Sequence, residues 1–340
     1  ADDVNFTAGG YSLRNASRRR PYLSLITGVV DYRPTSSLRF SVGKQIVNWS
    51  NFDEIQPANL MTPRDESDIF RRVELGVPSV SVHYEAGVGF ADLVVVPLAF
   101  TPSRLPQGRW NILHIDGTEE IQDQTPVRLN ETQAGARLVA RLDALQAGLI
   151  GYVGRDTDAI FVPNLIYIGG PQLFRLQIID TFPQLRAGGI TTSYDLGEQT
   201  LLRMESVYYN SPDRRQADYL QTAAGVEYSF ADWRMVLNYL HHDHVVEAPE
   251  PVTNKGERHF FRSFLFGELR YDAGGNFQAQ LRGGYDATER FLLLGPEISY
   301  RVWRQLRIAL VGNFIDADRP SYFKTVQQED RIGTRWEYAF

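Results

Sequence analysis

Cysteine is absent from all 340 residues, so neither disulfide stapling nor thiol catalysis is open to the chain, and passage through an oxidising compartment would leave it unchanged. No run approaches the ~18 apolar residues of a membrane-crossing helix. Positive charge is not in excess either. Lys and Arg number 35 against 41 Asp and Glu, a formal net charge of −6 that argues against a nucleic-acid-binding surface. The nucleophile motif Gly-x-Ser-x-Gly is missing. A hydrolytic site would still need only a His with a carboxylate or Ser nearby, but no such group stands out, and the chain is read as a non-enzyme without cofactor. Mean hydropathy is −0.29, a value that reads as soluble to a window scan. Such a scan is blind to strands in which every second residue is polar.

Aromatic residues are plentiful, with 5 Trp, 17 Tyr and 19 Phe. At the C-terminus Ile332, Thr334, Trp336, Tyr338 and Phe340 share one parity, while Arg331, Gly333, Arg335, Glu337 and Ala339 share the other. Strand side chains alternate between faces, so this segment has one apolar and one charged face. That pattern suits lipid on one side and a watery lumen on the other. The segment resembles the C-terminal assembly signal of bacterial outer-membrane barrels, carried here by Trp336, Tyr338 and Phe340. The resemblance implies a transmembrane antiparallel β-barrel, recognised by the barrel-assembly machinery during biogenesis.

The same alternation recurs upstream. Phe277, Ala279, Leu281, Gly283 and Tyr285 oppose Gln278, Gln280, Arg282, Gly284 and Asp286. Leu306, Ile308, Leu310, Gly312 and Phe314 oppose Gln305, Arg307, Ala309, Val311 and Asn313. Residues 133–143, 202–209, 220–230 and 261–271 repeat it, with Arg203, Glu205, Glu227, Arg262, Glu268 and Arg270 on the polar side. A soluble β-sandwich also alternates. Its core would have to absorb apolar faces that end again and again in Tyr, Phe or Trp, whereas a membrane interface uses such girdles.

Five turn-like segments begin at a tyrosine, at 32–38, 194–198, 228–233, 271–276 and 300–304, and less clear versions lie at 84–89 and 142–146; all seven are expected as short periplasmic turns. Longer external loops are expected at 14–21, 50–72, 101–132, 155–171, 210–217, 244–258 and 315–328. The count is about 16 strands in one domain over 1–340, becoming 18 if residues 160–183 add a hairpin and 14 if the weaker turns fail. Strands of about 9–11 residues are long enough to span. A barrel of that size is too wide to be filled by side chains alone, so a channel or enclosed cavity follows.

Residues 43–72 combine costly apolar side chains with polar ones. Trp49, Phe52, Ile55, Leu60 and Met61 resist exposure, while Asn51, Asp53, Asn59, Arg64 and Asp65 suit a hydrated wall. Pro57 and Pro63 forbid a regular element across the stretch. An inward-folded constriction over 50–72 is therefore expected, against the alternative of an external loop packed on its neighbours. The run Gly43-Lys44-Gln45, Trp49, Asp53, Pro57, Asn59-Leu60 and Thr62-Pro63-Arg64-Asp65, with Thr101-Pro102-Ser103-Arg104-Leu105-Pro106 further on, resembles a poorly characterised family of proteobacterial outer-membrane barrels. That family lies near alginate-export and long-chain-hydrocarbon channels in architecture. Ser50 departs from the pattern, standing where Gly usually follows the Trp. The resemblance implies a transport role and is silent on cargo.

Weaker groups complete the reading. His242 and His244 share a parity and form a two-residue candidate for a metal, though a polar rim explains them as well. Arg18, Arg19 and Arg20 could pair with lipopolysaccharide phosphates. Ala1-Asp2-Asp3 is expected to be a mature N-terminus left by signal-peptide cleavage in a Gram-negative outer membrane. The lumen is expected to carry Arg203, Glu205, Arg262, Glu268, Arg270 and Arg282, with Arg307, Arg335 and Glu337, as mixed-sign ion pairs with selectivity where pairing is incomplete. The function expected is a channel for small solutes in contact with outer-membrane lipid and lipopolysaccharide, with no nucleic-acid partner. The alternative is a structural barrel that sheaths a protein partner.

Overall fold

The computed structural model describes residues 3–13, 22–65, 73–97, 119–121, 132–157, 160–167, 174–212, 218–246, 262–318 and 330–338. In chain order the strands are β1 (Asp3–Leu13), β2 (Tyr22–Arg33), β3 (Leu38–Gln45), β4 (Arg64–Asp65), β5 (Val73–Glu74), β6 (Val77–Ala86) and β7 (Gly89–Val96). They continue as β8 (Glu119–Ile121), β9 (Gln133–Leu142), β10 (Leu145–Arg155), β11 (Ile160–Tyr167), β12 (Phe174–Thr181), β13 (Gln184–Leu196) and β14 (Thr200–Asn210). The last seven are β15 (Asp218–Phe230), β16 (Trp233–Val246), β17 (Ser263–Ala273), β18 (Phe277–Asp286), β19 (Phe291–Trp303), β20 (Leu306–Ala317) and β21 (Arg331–Tyr338). Sixteen form one sheet in the order β1-β2-β3-β6-β7-β9-β10-β13-β14-β15-β16-β17-β18-β19-β20-β21. Every neighbour pair in it is antiparallel, and the order follows the chain, as in a meander.

All seven short turns expected from the sequence close hairpins, at 34–37, 87–88, 143–144, 197–199, 231–232, 274–276 and 304–305. Residues 160–181 do form a hairpin, β11–β12, but it joins β8 in a separate three-stranded sheet, so the larger sheet keeps sixteen strands. One connection on the opposite side was not expected. Residues 287–290 form a four-residue turn, organised by Asp286, whose Oδ1 accepts from the Thr288 and Glu289 amides at 2.8 and 2.9 Å. Its Oδ2 accepts from the amides of Arg262 and Ser263 at 2.9 and 3.2 Å. Asp286 is thus a turn cap rather than a lumen charge, because a buried carboxylate needs donors and four amides supply them.

Alternation translates directly into two faces. Leu138, Leu149, Leu237, Leu281, Ile298, Leu310 and Trp336 are exposed on the outside, while Val139, Ile150, Val236, Glu297 and Ala309, each adjacent in sequence to one of them, are buried. Aromatic rings gather beside the short turns, with Tyr32 stacked on Phe40, Tyr228 on Phe230 and Trp233 against Tyr271 at centroid distances of 6.4, 5.6 and 4.8 Å. Amphipathic rings on such a rim match a headgroup layer.

Curvature follows from one segment. The amide of Val47 donates to Thr62 Oγ1 at 2.7 Å, so residues 47–62 form a closed loop with a reach of at most ~25 Å from its base. That loop shares buried clusters with side chains from β6 to β20, eleven spacings apart in the sheet order and ~53 Å if the sheet were flat. The sheet therefore curls round the loop.

Candidate functional site

The 46–63 segment has no regular secondary structure, as Pro57 and Pro63 require. Local hydrogen bonds set its shape instead. Asn59 donates its amide to Gln56 O at 3.1 Å, and Asn59 Oδ1 accepts from the Thr62 amide at 3.2 Å. Asn48 Oδ1 accepts from the Ser50 amide at 2.9 Å, and Ser50 Oγ accepts from Phe52 N at 3.2 Å.

The anchor is Glu205 on β14, fully buried. Ser50 Oγ donates to its two oxygens at 3.0 and 2.9 Å, the Ala58 amide donates to Oε2 at 3.1 Å, and the Asn51 amide donates to Oε1. One carboxylate so gathers both flanks of residues 51–57. From the same strand, the Tyr209 hydroxyl donates to Pro57 O.

Glycines make room for the aromatic side chains. A Cβ on Gly135 would come within 2.2 Å of Met61 Cε and 2.8 Å of the Trp49 ring, and one on Gly225 within 2.9 Å of Phe52. Trp49 and Met61 belong to a buried cluster with Val94, Ile150, Tyr152 and Val207, and Phe52 and Ile55 to a second with Phe264, Phe266 and Phe291. At a loss of about 1.5–3 kcal/mol for each large side chain returned to water, this packing holds the segment against the inner face. Arg137, Glu205 and Arg282, which face different parts of the segment, each lie six positions from the short turn of their hairpin, at residues 143, 199 and 276. The segment therefore sits near mid-height.

Around it the inner face is an ion-pair lattice. Arg137 contacts Asp92 at 2.9 Å and lies over the Phe90 ring, 4.9 Å from its centroid. Arg141 meets Glu85 at 2.8 Å. Arg203 reaches Glu227 at 2.5 Å, and Arg234 joins Glu227, Glu268 and Asp53 at 2.6, 3.3 and 3.4 Å. Arg335 touches Glu297 at 2.6 and 3.0 Å and Glu337 at 2.8 Å.

Of the lumen residues expected from sequence, Arg203, Glu205, Glu268, Arg335 and Glu337 take part in these contacts, and Arg282 has Glu54 at 3.6 Å. Arg270 and Arg307 sit lower, by the 274–276 turn, with Asp272 at 3.4 Å and Gln278 at 2.6 Å. Arg262 precedes β17 rather than lying within it. In the segment, Trp49 and Asn59 are buried, Asn51 binds Glu205, and Arg64 donates to Gln56 at 2.7 Å. Asp53 is 76 % exposed toward the lumen. The Asp65 and His244 side chains, residues 66–72 and 101–106, Arg18–Arg20 and Phe340 lie outside the described residues. His242 stacks on Tyr219 at 4.8 Å and contacts Gln221 at 3.3 Å, and no cluster of three metal-ligating groups occurs among the described residues. Sequence reasoning missed Arg234 and Glu54. Arg234 had a signal, lying between Trp233 and Met235 on the polar parity, whereas nothing local distinguishes Glu54.

Between the segment and β17–β19 lies a cavity of about 560 Å³, lined by Phe52, Asp53, Glu54, Gln56 and Arg64 on one side and by Phe264, Phe266, Arg282, Leu293, Gly295 and Arg335 on the other.

No protein-family model and no curated protein matches the chain. Solved structures do. OpdK of Pseudomonas aeruginosa, an outer-membrane protein, superposes with a TM-score of 0.54 at 10% identity over 98% of this chain and 87% of that one. OccK2 (OpdF) of Pseudomonas aeruginosa, solved with glucuronate, gives 0.51 at 10% identity over 100% and 88%. The fold is that of an outer-membrane β-barrel. In such a barrel the exposed apolar face meets lipid and the ion-pair lattice lines the lumen. The specific family suggested by the Gly43–Asp65 run has no matching model, so the resemblance stands at the level of the barrel alone.

Proposed function

We propose that the protein is a porin-like channel of the Gram-negative outer membrane, passing small solutes through a mixed-charge lumen that the 46–63 segment narrows. The observation that carries this reading is Glu205, which binds the segment by Ser50, Asn51 and Ala58 halfway along the wall. A loop on the outer rim would need no buried carboxylate on a strand. The ion-pair lattice supports the same reading, since a polar inner face has no use in a barrel filled with apolar side chains. Likeness in fold to outer-membrane barrels, one of them solved with bound glucuronate, supports it as well.

Single-channel conductance in a planar bilayer tests it, comparing the protein with a variant lacking residues 51–57. The deletion is closable because the amides of Asn51 and Ala58 bind one carboxylate. Steady openings that widen in the variant are expected. Silence in both forms would overturn the channel and leave a sealed barrel that sheaths a partner.

A further inference from the structure

The three arginines of the 560 Å³ cavity are not equally engaged. Arg335 is held by Glu297 through contacts of 2.6 and 3.0 Å, and Arg64 donates to Gln56 at 2.7 Å. Arg282 differs. Among the described residues its one charged partner is Glu54, with Nη1 at 3.6 Å from Oε1, beyond hydrogen-bond reach. Both side chains are about one-third exposed. A guanidinium has five donors in a fork that matches a carboxylate, and here the fork faces open space.

The surroundings restrict what can fill that space. Gly284 and Gly295 face inward beside Arg282, and a Cβ on them would meet the Phe264 ring at 2.1 Å and Arg282 Cγ at 3.3 Å, so the missing side chains let the ring and the arginine stem lie against the wall and leave the hollow in front of them. Phe52, Phe264, Phe266 and Leu293 give the hollow an apolar lining. Asp53, Glu54 and Glu74 also line the cavity, and they would repel a solute with two or more negative charges. A single carboxylate on an apolar body satisfies all three features: it fills the fork, covers the rings and keeps the repulsion small.

We propose that Arg282 and the apolar wall beside it form a binding subsite for small monocarboxylates, with Glu54 as a built-in competitor that the solute displaces. This names the solute class of the channel proposed above and rests on that reading. Glu54 keeps Arg282 paired while the lumen is empty. Its contact is long and partly exposed to solvent, so exchange for a better-fitting carboxylate is easy.

The test has two readouts on purified protein. The first is calorimetric titration in detergent with benzoate and with uncharged benzamide, on wild type, R282Q and E54Q. The second is entry of benzoate and arabinose into proteoliposomes, taken as a ratio within each variant. Benzoate is expected to bind wild type and benzamide not. R282Q should weaken benzoate at least about tenfold, the loss of a charge-assisted pair, and E54Q should strengthen it. R282K, which keeps the charge, should retain part of the binding, and heat-modifiable electrophoretic mobility establishes that each variant is folded. Equal binding of benzoate to wild type and R282Q, or of benzamide and benzoate to wild type, would overturn the subsite. Arg282-dependent binding without arabinose entry would uphold the subsite and sink the channel.

Discussion

Glu205 concentrates at one residue what most loops distribute over many. Two hydroxyl contacts and two amide contacts converge on its carboxylate, in a site closed to solvent. Replacing it with Ala removes the acceptor and strands two amides. Each hydrogen bond to a charged group contributes about 1.5–3 kcal/mol, so losing even one raises the detached population of the segment by roughly 10–150-fold. E205A is therefore expected to make residues 50–58 sensitive to limited proteolysis in a barrel that remains folded, with noisier and larger openings in the bilayer. Resistance equal to wild type would show that the two apolar clusters hold the segment unaided. Glu205 was legible in the sequence as a polar-parity residue, but its role was not. The parity tells which face a side chain takes and is silent on what approaches from 150 positions away. Ser50 illustrates the same limit from the other side, because the residue that departs from the Gly after Trp49 supplies the hydroxyl that Glu205 binds.

At the scale of elements, alternation is decisive because a shift of one residue would turn every side chain of a strand to the wrong face. Leu237 on β16 and Leu281 on β18 point outward, 50% and 49% exposed, while their neighbours Val236 and Arg282 face the lumen. A membrane places those leucines in hydrocarbon. Leu237→Arg should then cost about 2–4 kcal/mol, the range for a cation near the bilayer midplane. Urea unfolding from liposomes reads this directly, and the same substitution should cost little in a detergent that wraps the arginine. An equal cost in both would mean that Leu237 packs on protein instead of lipid. Turns and strands were legible because aromatic residues and alternation mark them every ten to fifteen positions. The 287–290 turn escaped because its cap, Asp286, continues the polar parity of β18 and so reads as one more lumen residue. The β11–β12 hairpin has strand-forming sequence but no place in the larger sheet, a fact that only pairing decides.

For the whole molecule, the distribution of charge in the lumen matters more than its sum. Asp92 with Arg137, Glu85 with Arg141, Glu227 with Arg203 and Arg234, and Glu297 with Arg335 pair cations and anions within 3 Å on the wall. Opposite charges that close cancel each other's field within a few ångströms, well inside the Debye length of about 10 Å at 0.1 M salt. In the channel proposed, a permeating ion would meet no sustained potential of one sign, and the reversal potential under a KCl gradient should correspond to a cation-to-anion permeability ratio within about threefold of unity. The exception is the tip of the segment, where Asp53 is largely exposed and Glu54 contacts Arg282 only at 3.6 Å. Converting Asp53 and Glu54 together to Asn and Gln removes two negative charges at that tip and leaves Arg282 without its carboxylate, while Arg234 stays paired with Glu227 and Glu268. The double variant should shift the reversal potential toward anions, most strongly at low salt and fading as the salt is raised, since screening shortens the reach of the freed Arg282. A shift that ignores salt would place those two carboxylates away from the ion path, and strong selectivity in the wild type would mean that the wall pairs do not cancel in the working channel.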